Sequence, residues 1–362
     1  MVVSSERINI ITDQGLNTGI GRYAYSLYSL LKNDFPNLVI YQIKNFDSVD
    51  IPNAKTFDFI NQAKSLIEFP FVKYINLHKL RNHDVFKGQN IHLCGTDYSL
   101  SCSSESCVAT VHDYYPRLPN FNMLKDLRTL FSELYINYYN MILPKHIKRC
   151  TRIVVVSSKV QLDLKMKLGL SSIVIPIWVS DQFRPRDKEL ARARLNLPLN
   201  EKLLLNVSGG GANKNLPTLE KISKGLSDKI RLVKIGHPIH NVKVINRNKV
   251  TEEDYPYYFN ACDIYVNTST VEGFGIPLIE SMKSGLPVIS PRTSPFDEIL
   301  GNAGIFVENP MDEKNYLQAI ESVFDYAFLE THRKLSIECG ARYSCKRIKD
   351  SLIRLYSESF NC

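Results

Sequence analysis

The chain has 362 residues, too many for one hydrophobic core and enough for two domains of ordinary size. With 44% hydrophobic and 23% charged residues, it is excluded from the disordered class. A formal net charge of +8 favours anionic partners, but no continuous Lys/Arg block of the kind that forms a nucleic-acid arm is present, so no nucleic-acid partner is expected.

Short runs rich in Ile and Val alternate with helical patterns. Ile8–Thr12 reads as a first strand. A glycine-containing turn and a helix from about Gly21 to Leu31 follow, then a strand over Leu38–Ile43. Residues 45–90 carry aromatic and basic side chains with weak periodicity. Val108–Val111, Ile153–Val156 and Ile173–Ile177 are further strands. The stretch from Ile175 to Pro185, with two prolines and no period, reads as a linker. The pattern then restarts. Strands are expected at Leu203–Val207, Ile230–Ile235, Ile264–Asn267 and Val288–Ser290, and helices at Leu216–Ser223, Glu252–Ala261 and Ile276–Ser284. The tail from Tyr343 to Phe360 reads as helical. Strand–loop–helix alternation of this kind specifies an α/β fold, with parallel sheets and helices on their faces. The expected division is a first Rossmann-like domain over 1–178, a second over 179–342, and a terminal helix over 343–362.

Of the eight cysteines, none forms a Cys-x-x-Cys pair or joins histidines at zinc spacing, so free thiols are expected. Cys102 and Cys107 are close enough in sequence to bridge, which spacing alone does not decide. The first residues lack the pattern of a signal peptide. No apolar run reaches the ~20 residues that span a bilayer. The expected location is cytoplasmic. Two basic runs, Lys79-Arg81-His83 and Lys145-His146-Lys148-Arg149, are interleaved with apolar residues and leave contact with a membrane surface or an anionic acceptor open.

The most informative segment is Thr270-Val271-Glu272-Gly273-Phe274-Gly275-Ile276-Pro277-Leu278-Ile279-Glu280. A strand leads into a glycine-flanked loop, and a helix begins with Pro277 in its first turn, where proline fits. Ligands of parallel sheets bind at the carboxyl ends of strands, against helix starts. Gly273 and Gly275 allow close backbone approach, and the free amides of the helix start suit phosphate or sugar oxygens. Glu272 and Glu280 are acceptors suited to sugar and ribose hydroxyls. A second segment, Ser208-Gly209-Gly210-Gly211-Ala212-Asn213-Lys214, is a glycine-rich turn with a cation, which suits a diphosphate.

Two glutamates separated by seven residues, around Glu-Gly-Phe-Gly-x-Pro-x-x-Glu, resemble the signature of glycosyltransferase family 4. Ser284-Gly285-Leu286-Pro287 and Glu298-Ile299-Leu300-Gly301 resemble it too, in order and spacing, as do Thr18-Gly19-Ile20-Gly21 and Val111-His112-Asp113 in the first half. The resemblance implies the GT-B architecture, two Rossmann-like domains facing across a cleft, with the terminal helix crossing back to the first. It implies a retaining transferase that uses a nucleotide diphosphate sugar and needs no metal or other cofactor. Glu272, His112 and Lys214 are the expected catalytic residues. Gly21, Ser208, Gly209, Lys214, Val250, Gly273, Phe274, Gly275, Ile276 and Glu280 are the expected donor-binding residues. One departure stands out: six residues before Lys214, where the family usually carries a cation, this chain has Ser208.

His-Asp followed by Tyr-Tyr-Pro resembles mannosyl- and related hexosyltransferases, which implies GDP-mannose as the first donor and UDP-glucose as the second. The acceptor is read as a glycan, a glycolipid or a protein-linked sugar, bound by residues near 66–83 and 114–149. The oligomeric state is not legible. A catalytically silent nucleotide-sugar binding protein, favoured only by Ser208, and a GT-B nucleotide-sugar epimerase are the alternatives. A dinucleotide oxidoreductase is disfavoured, because no Gly-x-Gly-x-x-Gly with a following acidic residue appears after a strand.

Overall fold

The computed structural model describes residues 7–12, 16, 18–43, 49–56, 88–95, 106–114 and 147–360. The aromatic and basic stretch 66–83, residues 115–146 and Cys102 lie outside them. The chain divides into two compact units: Met1–Pro176 together with Ile348–Cys362, and Ile177–Arg347.

In unit 1 the strands are β1 (Ile8–Thr12), β2 (Leu38–Gln42), β3 (Lys55–Thr56), β4 (Asn90–Leu93), β5 (Cys107–Val111), β6 (Arg152–Val155) and β7 (Ile173–Val174). They form a parallel sheet in the order β3-β2-β1-β4-β5-β6-β7. β1 and β5 are buried along their whole length, which is why they read as continuous apolar runs rather than alternating ones. The strand expected over Ile173–Ile177 is cut short at Val174, since Pro176 has no N–H to extend a ladder.

Helix α1 spans Gly19–Leu31 and starts two residues earlier than its periodicity suggests. Thr18 caps it by accepting from the Gly21 N–H at 3.1 Å. It buries Tyr23, Ala24, Leu27 and Leu31 on one face. Helix α2 (Ser158–Leu168) is capped by Ser157 and ends at Gly169, whose φ of 64° supplies the left-handed turn.

In unit 2 the strands are β8 (Lys202–Ser208), β9 (Ile230–Gly236), β10 (Val244–Arg247), β11 (Ile264–Val266), β12 (Val288–Pro291) and β13 (Gly304–Val307). Their order is β10-β9-β8-β11-β12-β13, all parallel. The helices are α3 (Lys188–Arg194), α4 (Leu216–Gly225), α5 (Tyr255–Ala261), α6 (Ile276–Lys283), α7 (Phe296–Leu300), α8 (Glu313–Val323) and α9 (Tyr326–Gly340). One core cluster joins Leu204, Leu232, Ile264 and Ile289 of the sheet to Leu219 and Ile222 of α4 and Tyr316 and Ile320 of α8.

Helix α10 (Cys345–Phe360) follows, and its part from Ile348 onward belongs to unit 1. Among the described residues no helix is long and apolar enough to cross a membrane.

Candidate functional site

Both sheets change winding direction at a defined point. In unit 2, β8 and β11 are neighbours, yet the chain leaves β8 toward β9 and leaves β11 toward β12. Connections diverging from adjacent strands open a crevice at their carboxyl ends. The two segments singled out in the sequence, 208–215 after β8 and 267–275 after β11, flank this point.

Main-chain and side-chain bonds tie the two loops together. The Thr270 N–H donates to the Asn213 carbonyl at 2.8 Å, and Asn213 Nδ2 donates to the Val271 carbonyl at 3.0 Å. Thr268 Oγ1 donates to the Lys214 carbonyl at 2.9 Å. Lys214 Nζ and Glu272 Oε1 form an ion pair, with side chains 25% and 17% exposed. Cation and carboxylate therefore sit side by side at the mouth of the crevice, still open to solvent.

Glu280 lies in the second turn of α6, 8% exposed, and Oε2 accepts from Tyr255 Oη at 2.8 Å. Tyr255, on α5, thus orients a residue the motif had flagged; nothing in the motif itself points to Tyr255. Gly275 precedes α6 with φ 115°, a conformation that favours glycine, and no side chain caps the helix. Pro277 has no N–H and the Leu278 N–H donates to the Gly275 carbonyl at 3.0 Å, so the amide at the helix start that is placed for an outside acceptor is that of Ile276. Phe274 is 6% exposed and packs edge-on against Tyr343, ring centroids 5.9 Å apart. Its side chain is a core group, so only its backbone is placed to serve a ligand. Gly273 is buried beside it, and Gly209 is exposed at the top of the glycine-rich turn. Ser208 Oγ donates to Asn206 Oδ1 at 2.7 Å. Val250 lies between β10 and α5, and among the described residues no hydrogen bond links it to either loop.

By resemblance the segment Val233-Lys234-Ile235-Gly236 lies where the family binds the nucleobase, which gave Lys234 no role of its own. Lys234, in the centre of β9, is fully buried, and its ammonium donates to the Ser208 carbonyl at 2.7 Å. The available signal was a lone lysine inside the apolar run Leu232-Val233-Lys234-Ile235.

In unit 1 the winding changes between β1 and β4. Gly21 is buried in the first turn of α1, after β1, and His112 follows β5. Tyr23, on α1, meets His112 edge-on at 4.7 Å, so the glycine turn and the histidine lie close together. His112 Nε2 is buried, and among the described residues it has no hydrogen-bond partner. Burial pushes the imidazole down to about 4, so it is neutral at neutral pH. A buried, unsatisfied ring nitrogen at a strand end calls for an explanation, and a ligand hydroxyl or phosphate edge would supply one.

Residues 187–337 match the family described as "Glycosyl transferases group 1". The match lies wholly within unit 2. The glycine-rich loop, Lys214, Glu272 and Glu280 all fall within the matched residues.

The chain is 26% identical over 243 residues to the O-antigen chain mannosyltransferase RfbU of Salmonella typhimurium, covering 61% of this chain and 65% of that protein. It is 40% identical over 63 residues to the O-antigen chain mannosyltransferase B of Escherichia coli, 17% of this chain and 16% of that protein. The chain thus spans less than two thirds of the length of these curated relatives. Among solved structures, sucrose-phosphate synthase of Thermosynechococcus elongatus superposes with a TM-score of 0.80 at 17% identity, over 98% of this chain and 99% of that one. Anabaena HepE, solved with UDP and glucose, gives 0.74 at 14% identity, over 97% and 99%. The fold is GT-B, as in these solved structures.

Proposed function

We propose that the chain transfers a hexose from a nucleotide diphosphate sugar to a glycan, glycolipid or protein-linked acceptor, with retention of anomeric configuration and without a metal. The observation that carries this reading is the Lys214–Glu272 pair at the switch point of unit 2, between a glycine-rich turn and the uncapped start of α6.

Breaking the anomeric bond leaves positive charge on the sugar and negative charge on the diphosphate. Lys214, the amides of the glycine-rich turn and the Ile276 amide at the start of α6 are fixed dipoles and charges suited to the departing diphosphate. Glu272 suits the oxocarbenium-like sugar, and Glu280, oriented by Tyr255, suits ribose hydroxyls. Neutral His112 is suited to a sugar hydroxyl as hydrogen-bond donor or acceptor. GDP-mannose stands first among donors, in keeping with the mannosyltransferase relatives. UDP-glucose stands second, the donor bound by Anabaena HepE in another of its structures. The expected location is the cytoplasm or a membrane surface facing it.

The test is a donor screen without divalent metal that follows release of UDP or GDP, with Glu272→Ala and Lys214→Ala beside wild type. Turnover of one donor, lost in both variants, is expected. Binding without turnover under any acceptor would favour the silent nucleotide-sugar binding protein, and failure to bind any donor would overturn the assignment.

A further inference from the structure

Lys234 is 0% exposed, on a strand whose other central residues are apolar. Its ammonium donates to the carbonyls of Ser208 at 2.7 Å and Ile235 at 2.8 Å. Among the described residues no carboxylate pairs with it. A buried ammonium without a counter-ion is costly, and a methionine or leucine would fill the same volume at lower free energy. Burial lowers its pKa to about 8, and the nearby charge of Lys214 acts in the same direction. Two cations are therefore gathered at one end of the sheet; Glu272 pairs with Lys214, and among the described residues no anion pairs with Lys234, whose charge an anion held there would balance.

The geometry shows how a buried charge reaches such an anion. The Ser208 carbonyl accepts from Lys234 and from the His237 N–H at 3.0 Å, so it faces β9. A trans peptide points its N–H opposite to its carbonyl. The Gly209 N–H is accordingly turned away from β9, toward the β11 side where the winding changes, and a Cβ built on Gly209 itself meets no atom within 4 Å. Gly236, at φ 97°, permits this close approach: a Cβ there would meet the Ser208 oxygen at 2.4 Å. Ser208 itself carries no charge and spends its hydroxyl on Asn206.

We propose that Lys234 supplies, from the neighbouring strand, the positive charge absent at position 208, and that it fixes the Ser208–Gly209 peptide so that the Gly209 amide faces the donor diphosphate. This rests on the reading of unit 2 as the donor domain. Lys234 acts through the loop and is a positioning residue. Together with Lys214 it makes the two-cation environment that a diphosphate leaving group calls for.

The experiment is calorimetric titration of GDP and UDP into the full chain, as wild type, Lys234→Met, and Lys234→Met combined with Ser208→Arg. Thermal unfolding of each is measured without ligand. Lys234→Met is expected to weaken nucleotide binding about 10–100-fold, while thermal stability is kept or raised because an unpaired buried charge is gone. Adding Ser208→Arg restores most of the lost affinity by placing a charge directly at the loop. Wild-type affinity weakens as pH rises above about 8, where Lys234 loses its proton, and the Lys234→Met profile is flat there.

Equal affinity in Lys234→Met and wild type would overturn the proposal. So would a loss that tracks thermal stability and resists rescue by Ser208→Arg. If Lys234→Met does not fold, the wild-type pH series decides, and affinity unchanged across that range overturns it. Wild type that binds neither nucleotide overturns the donor-domain reading, and this proposal with it.

Discussion

At the scale of single residues, the Lys214–Glu272 pair separates two roles that a simple loss of activity would merge. In the structure the carboxylate satisfies the ammonium that the diphosphate would otherwise use. Glu272→Gln removes that competitor. Nucleoside diphosphate binding is expected to hold or tighten, while kcat falls by about 10²-fold or more, since a group aimed at the developing sugar cation is lost. Lys214→Met is expected to weaken nucleotide binding and turnover together. Titration calorimetry beside initial rates checks both, and tighter binding in Lys214→Met would contradict the assignment. Most of these residues were legible because the motif fixes loop, glycine and carboxylate at set spacing. Tyr255 and Lys234 were not, because their partners Glu280 and Ser208 lie 25 and 26 positions away and meet them only once the sheet is assembled.

At the scale of elements, two junctions carry expectations of their own. The first is the end of β9 against the end of β8. Gly236→Ala places a Cβ at 2.4 Å from the Ser208 oxygen, in a backbone conformation that L-residues rarely adopt. A loss of at least about 1–3 kcal/mol is expected, with nucleotide affinity lowered as the turn is displaced; denaturant unfolding and titration measure the two. The second junction ties β4, β5 and α10 in unit 1. His92 Nδ1 is hydrogen-bonded to Tyr356 Oη and Nε2 to Thr110 Oγ1, each at 2.7 Å, and both ends are buried. Burial, with the charge of His112 acting in the same sense, lowers His92 to about 3. His92 and His112 are thus neutral when folded and would take up protons on unfolding below about 6.5. The unfolded state binds more protons in that window, so stability falls as pH drops from 6.5 toward 4. Thermal unfolding against pH is expected to show this slope, and His92→Gln to reduce it. The strands that tie these junctions differ in how plainly they read. β1 and β8 are runs of apolar residues, whereas β4 is Asn-Ile-His-Leu and β10 is Val-Ile-Asn-Arg, an edge strand half in solvent. Neither shows apolar continuity or clean alternation, so both were absent from the sequence reading, and only pairing with neighbours makes them strands.

At the scale of the whole molecule, the restart of the strand–helix rhythm led to an expected division after residue 178, and the two compact units part after Pro176. The return of the terminal helix to unit 1 was expected from the resemblance alone; nothing in its amphipathic pattern says which core receives it. The consequence is an asymmetry in autonomy. Unit 2 is one continuous stretch, Ile177–Arg347, with its own core. Its first helix is anchored internally. Arg192, 4% exposed, pairs with Asp263 at 2.9 Å and donates to the carbonyls of Ala261, Leu199 and Glu201. Unit 1 is interrupted, and Met1–Pro176 alone lacks the Tyr356 that bonds His92 and packs on Phe35, and the Lys349 that pairs with Asp34 at 2.7 Å. Leu352 and Tyr356 are fully buried in α10, so removing the helix uncovers apolar surface worth about 1.5–3 kcal/mol for each large side chain. A fragment spanning 177–347 is therefore expected to unfold cooperatively and to bind a nucleoside diphosphate, whereas 1–176 is expected to lose cooperative unfolding. Supplying a peptide of residues 345–362 in trans should restore it in part. Circular dichroism melts of the two fragments, with and without the peptide, decide the matter: a 1–176 fragment as stable alone as with the peptide would show that α10 is dispensable to that core.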